Sequence, residues 1–212
     1  MTEVSLIHKT GWGGAGPDSL KGSMPEQISF TLPNGETVHG EQFNPDNVGK
    51  LLPVLDAPDA RQYIDFATII AELAQDGHTP TDHEIWDAIM EKAKSPGGEY
   101  LLRIGRQAVG MLGVYPEPPV DGTEYGAGIH YSVDPRQRGK KIAQYGSALL
   151  HGVLLERTGD FAPGLTAVYT IAPDNIPSRR VAEAVGATRD PRYDGAIATS
   201  GAVEEGYSKL LN

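Results

Sequence analysis

Between Val133 and Glu156 the chain reads VDPRQRGKKIAQYGSALLHGVLLE. Arg136, Arg138, Lys140 and Lys141 crowd a short turn that also holds Gly139. Cations packed this closely suit capture of an anion. The neighbouring pattern shows how the backbone would help. Val133 closes a β-prone apolar run, and Asp134-Pro135 stop it. From Ile142 a helical spacing of three and four sets in, through Ile142, Tyr145, Leu149, Gly152 and Val153. A strand that turns sharply into a helix aims free backbone N–H groups at the turn, and the helix dipole adds partial positive charge. The chemistry this suits is phosphate or pyrophosphate binding. A basic turn that only caps a helix is the plainer alternative.

Other candidates are fewer. The chain has no cysteine, so disulfides, cysteine zinc sites and thiol nucleophiles are excluded. A serine nucleophile lacks support, because no G-x-S-x-G elbow occurs. On the run GAGIHYSV, His130 and Ser132 share one face of an alternating strand, opposite Ile129, Tyr131 and Val133. An imidazole titrating near ~6.5 is suited to proton removal at neutral pH. A structural histidine is the commoner role on a strand. Glu124, just upstream, is a second acid–base candidate. His8, His39, His78, His83 and His151 show no metal-like spacing with carboxylates, so no metal is implied.

The elements that must position these residues follow from pattern. Residues 1–26 include GWGGAGPDSLKGS and read as a flexible Gly-rich arm; residues 27–212 read as one domain. ISFTLPNGETVHGEQF reads as a hairpin about Pro33-Asn34-Gly35. Two helices are expected next, one from Pro58 to Gly77 and one from Thr81 to Ser95. EYLLRIG, QAVGMLGVYP and GAGIHYSVDP read as three sequential antiparallel strands. The helix from Ile142 follows, then the strand LTAVYTIAP, a helix capped at Asp174 or Asn175, and a closing strand EEGYSKLL. This order gives an α/β fold with a mixed, mostly antiparallel sheet. The net charge of −10 and pI near 5.0 argue against general nucleic-acid binding, since that needs a basic footprint. No apolar run is long enough to span a membrane, and the first residues lack a signal-peptide core. A cytoplasmic protein is expected.

Two motifs carry a family resemblance. Val133, Pro135, Arg138, Gly139, Lys141 and Ala143 match the V-x-P-x-x-R-G-x-G-x-G/A pattern, with Lys141 at the second glycine. Asn175, Ser178, Glu183, Gly186 and Ala187 match N-x-x-S/A-x-x-x-x-E-x-x-G-F/A in the helix after the next strand. The chain thus resembles the GNAT superfamily of acetyl-CoA-dependent N-acetyltransferases. It looks closest to the branch that acetylates ribosomal-protein N-termini, which also holds small-amine acetyltransferases. The resemblance implies a central sheet with helices on both faces, and acetyl-CoA as co-substrate. It implies that the backbone from Arg138 through Gly139, Lys140, Lys141 and Ile142 to Ala143 holds the pyrophosphate. Tyr131, Ser132 and Val133 would lie along the pantetheine arm between splayed strands. Asn175 and Ser178 would bind the cofactor or protonate its thiolate, although a helix cap and a first-turn hydroxyl explain them equally. The branch's glutamate falls on Gly128 here, leaving His130, Glu124 or water to take the proton. The superfamily's usual tyrosine acid falls on Ala182.

The expected reaction is acetyl transfer to a primary amine by direct attack in a ternary complex. A catalytically degenerate acyl-CoA sensor and an interaction protein are the alternatives. Partners are acetyl-CoA and an amine, without nucleic acid or membrane; the oligomeric state is open between monomer and homodimer.

Overall fold

The computed structural model describes residues 24–43, 47, 50, 98–117, 120, 125–158, 164–195 and 203–211. The two helices expected between Pro58 and Ser95 lie outside these residues, as do Glu124 and residues 1–23.

Strands β1 (Gln27–Thr31) and β2 (Thr37–Gln42) form the expected hairpin. Gly35 takes φ 86° at its tip, a conformation that favours glycine. Leu32 and Glu36 close the turn with a 2.8 Å backbone bond. β3 (Tyr100–Ile104), β4 (Gln107–Glu117) and β5 (Tyr125–Val133) continue the sheet antiparallel. β6 (Leu165–Ile171) joins β5 in parallel, after the crossover helix α1 (Ile142–Thr158). Helix α2 (Ile176–Ala184) precedes β7 (Thr188–Arg189) and β8 (Glu205–Leu210). Among the described residues the sheet has eight strands in the order β1-β2-β3-β4-β5-β6-β8-β7, and the β5–β6 pair is the parallel one.

The hydrophobic core joins one face of this sheet to α1. Phe30, Val38, Leu102, Leu112, Ile129 and Tyr169 meet Ile142, Leu149, Leu150, Val153 and Leu154. α1 sits close because position 146 is glycine: a Cβ there would lie 2.9 Å from Leu112 Cδ2. The stripe expected on this helix needs one correction. Gly152 is exposed, and Ser147 and His151 face inward instead. The expected arm also ends earlier than Glu26. Met24 is buried in the core, and the Tyr100 hydroxyl donates to the Pro25 carbonyl at 2.8 Å. Removing the apolar side chain of Met24 from water is reason enough for this segment to pack.

Candidate active site

β5 and β6 begin as a pair and then part. Their register runs Tyr125↔Leu165 to Gly128↔Val168 and stops. β5 stays paired with β4 up to Val133, and β6 stays paired with β8 up to Ile171. The two strands therefore splay from Ile129 and Tyr169 onward. Among the described residues, no strand neighbours the β5 backbone on that side, which faces a cleft. The N–H and C=O groups left there are strong hydrogen-bonding groups awaiting an extended partner.

At the open end of the cleft lies the basic turn. Asp134 caps a 3₁₀ turn, Pro135–Gln137, by accepting from the Arg136 N–H at 2.9 Å. Gly139 and Lys141 both take left-handed φ, 80° and 67°. The first α1 backbone bond is Tyr145 N–H to Lys141 C=O at 3.0 Å. The N–H groups of Ile142, Ala143 and Gln144 thus precede the helical ladder and point out of the helix end. This is the geometry of an anion cradle. Its side chains contribute less charge than their number suggests. Arg136 forms an ion pair with buried Asp134 at 2.7 Å, which holds that carboxyl below its usual range. Lys140 reaches back to Glu36 in the hairpin at 3.2 Å. The fit to a pyrophosphate therefore rests mainly on backbone donors, with Arg138 and Lys141 exposed beside them.

The other wall of the cleft is the start of α2. Asn175 is its cap: the side chain accepts from the Ser178 N–H at 3.2 Å. Tyr131 reaches across from β5 and donates its hydroxyl to the Ser178 carbonyl at 3.1 Å. Burial pushes the Tyr131 phenol up, opposed by the contact with Ser178. The structure thus brings Tyr131, Asn175 and Ser178 together at the cleft. Ser132 and Val133 lie on the same β5 strand, opposite Met111 and Gly110.

His130 points to the sheet face opposite α1. Its Nε2 lies 3.5 Å from Glu99 Oε1, too far for a hydrogen bond, and that nitrogen is buried without a partner. The ring as a whole is 36 % exposed, but burial of its ring nitrogen pulls the pKa down to about 4. This corrects the expected titration near 6.5. His130 is neutral at pH 7 and a weak base.

Sequence reasoning missed two further groups. Tyr115 and Glu117 lie on the same face as His130, and Glu99 completes the row. Nothing in the local sequence marks them, because their neighbours come from β5 by register. A second missed group is internal: His151 on α1 meets the Tyr169 hydroxyl at 2.7 Å beneath the splay.

Residues 50–188 match the family described as "Acetyltransferase (GNAT) domain". The chain belongs to the GNAT acetyltransferase family. It is an acyltransferase. No curated protein sequence matches it. Among solved structures, this GNAT chain is similar to RimL, a ribosomal-protein α-N-acetyltransferase in complex with coenzyme A. The identity is 16 %, the TM-score 0.60, and the match covers 85 % of this chain and 97 % of that one. It is similar to Mycobacterium smegmatis RimJ, in complex with a CoA disulfide, at 17 % identity and TM-score 0.57, covering 86 % and 85 %. The microcin self-immunity acetyltransferase MccE, in complex with acetyl-CoA and AMP, matches at 15 % identity and TM-score 0.53, covering 82 % and 92 %. At these identities the likeness shows the fold of this GNAT chain.

Proposed function

We propose that the chain transfers the acetyl group of acetyl-CoA to a primary amine by direct attack within a ternary complex. The observation that carries this is the splay of β5 from β6, ending at the free N–H groups of α1. An extended pantetheine arm would fill the place of the missing strand. The N–H groups of Ile142 to Gln144 would hold the pyrophosphate. A β5 backbone N–H near Ile129 would stabilise the oxyanion that develops on the thioester carbonyl. Holding both reactants at the cleft contributes through proximity. Tyr131 and Ser178 stand on the α1 side, where the departing sulfur needs a proton. A thiol acyl-enzyme is closed to a chain without cysteine.

A binding-only reading, as an acyl-CoA sensor, has one observation in its favour: Lys141 sits in a left-handed conformation where the family pattern has glycine. Calorimetry with acetyl-CoA, followed by thiol release over an amine panel, separates the two. We expect binding, turnover, and initial-rate plots that intersect. Binding without turnover favours the sensor. Parallel plots, with acetyl label retained on the protein when amine is withheld, overturn direct attack.

A further inference from the structure

On the sheet face opposite α1, three successive β4–β5 pairs set a glycine against a large side chain: Gly113↔His130, Tyr115↔Gly128 and Glu117↔Gly126. In each pair the large side chain lies over its glycine. A Cβ on Gly113 would run into His130 Nε2, and one on Gly128 into Tyr115 Cζ. A Cβ on Gly126 would stand 2.9 Å from Glu117 Cβ and 3.4 Å from its Cγ. The glycines let an imidazole, a phenol and a carboxylate lie in a row against the sheet on this face. The His130 and Tyr115 rings are 5.6 Å apart. This row lies at the apex of the splay, since the last β5–β6 pair is Gly128↔Val168. Glu117 is opposite a residue only two positions away, roughly 7 Å along the strand.

We propose that Glu117 is the group that takes a proton from the acceptor's ammonium, and that with Tyr115 it selects a cationic primary amine. This rests on the amine-acetylation reading above. The aromatic face of Tyr115 attracts a cation, and the carboxylate attracts it more strongly. His130 adjoins Tyr115, Glu99 lies beyond Gly113, and uncharged Thr166 stands across Gly126 on β6. Burial raises the Glu117 carboxyl above its ordinary range, which narrows its gap to the ammonium. The steps balance. Glu117 removes one ammonium proton and passes it to solvent. The freed nitrogen lone pair bonds to the thioester carbon as the C–S bond breaks. A second proton leaves that nitrogen for the departing sulfur. Acetamide, thiol and one released proton result.

The test uses Glu117→Gln and Glu117→Asp in the full chain. With an amine as basic as lysine, Glu117→Gln should lower kcat/KM by about 100-fold or more. Acetyl-CoA affinity should stay unchanged, and Glu117→Asp should recover part of the rate. The loss should shrink for weakly basic amines already neutral at pH 7. A loss below twofold, or one independent of amine basicity, overturns the proposal. If the wild type acetylates no amine, the functional reading fails, and butylamine titrated calorimetrically into the CoA-loaded protein judges Glu117 separately. Binding by the wild type that Glu117→Gln abolishes supports the cation site. Equal binding, or none by either protein, overturns it.

Discussion

Lys141 shows how much one residue can reveal. The sequence marks it as the departure from the glycine of the family pattern, but not what the position demands. The structure supplies that: φ 67°, the one positive φ at a residue other than glycine among the described residues. A left-handed residue with a Cβ costs roughly 1–2 kcal/mol, partly offset by the greater chain entropy glycine loses on folding. Lys141→Gly should therefore stabilise the protein by about 1 kcal/mol, or about 2–4 °C in Tm for a chain of this size. Thermal melts of both proteins check it. A lower Tm would mean that the lysine side chain stabilises the turn by more than its backbone conformation costs. Tyr115 and Glu117 mark the opposite limit. Tyr115 stands in plain view in the strand reading and Glu117 just past its end, yet their importance comes from Gly128 and Gly126 across the ladder. The connection between β4 and β5 carries turn signals in Pro118-Pro119 and Asp121-Gly122, but over seven residues these do not say which residues of the two strands pair.

At the scale of elements, the expected strands and the helices after Gly139 correspond closely to those observed, because each has a clear period and clear stops. Asp134-Pro135 ends β5, and Asn175 caps α2. What periodicity obscured was the inward face of α1, where polar Ser147 and His151 are buried with Tyr169. His151 has its Nε2 bonded to Tyr169 while Nδ1 is buried without a partner. Burial, and then the charge of Lys209, pull its pKa from 6.5 down to about 4. The sign follows directly. The unfolded chain takes up this proton near pH 6.5, whereas the folded chain resists until about pH 4. Stability contributed by neutral His151 is complete above pH 6.5 and is lost as pH falls towards 4. His130 acts in the same direction in the same window. His151→Gln, which keeps a hydrogen-bonding group towards Tyr169, should flatten part of the fall in Tm between pH 6.5 and 4. Wild-type and variant melts that run parallel across this window would show that His151 does not titrate between the folded and unfolded states.

For the whole molecule, the decisive boundary is the one at the start of the domain. Composition places it after Glu26, because glycine, serine and proline dominate the preceding stretch. The packing places it before Met24. Met24 is 7 % exposed within the core, and its carbonyl accepts from Gln42 Nε2 at 3.1 Å. The Glu26 carbonyl accepts from the Gln42 N–H at 2.9 Å, extending the hairpin ladder. Tyr100 is fully buried and gives its hydroxyl to Pro25. A chain cut to begin at Gln27 loses all of these contacts. Removing Met24 forfeits roughly 1.5–3 kcal/mol of burial. Leaving the Tyr100 hydroxyl without an acceptor costs about 1–3 kcal/mol more, unless water enters. Together these are a large part of the 5–15 kcal/mol typical of a folded domain. A chain beginning at Met24 keeps every one of them. The two truncations, compared with the full chain by thermal melts and acetyl-CoA calorimetry, should therefore diverge. The Met24 start should melt within about 2 °C of the full chain, and the Gln27 start on the order of 10 °C lower. Equal melting of the two truncations would show that the Met24–Glu26 contacts add nothing to stability. A fall already present in the Met24 start would assign stability to residues 1–23.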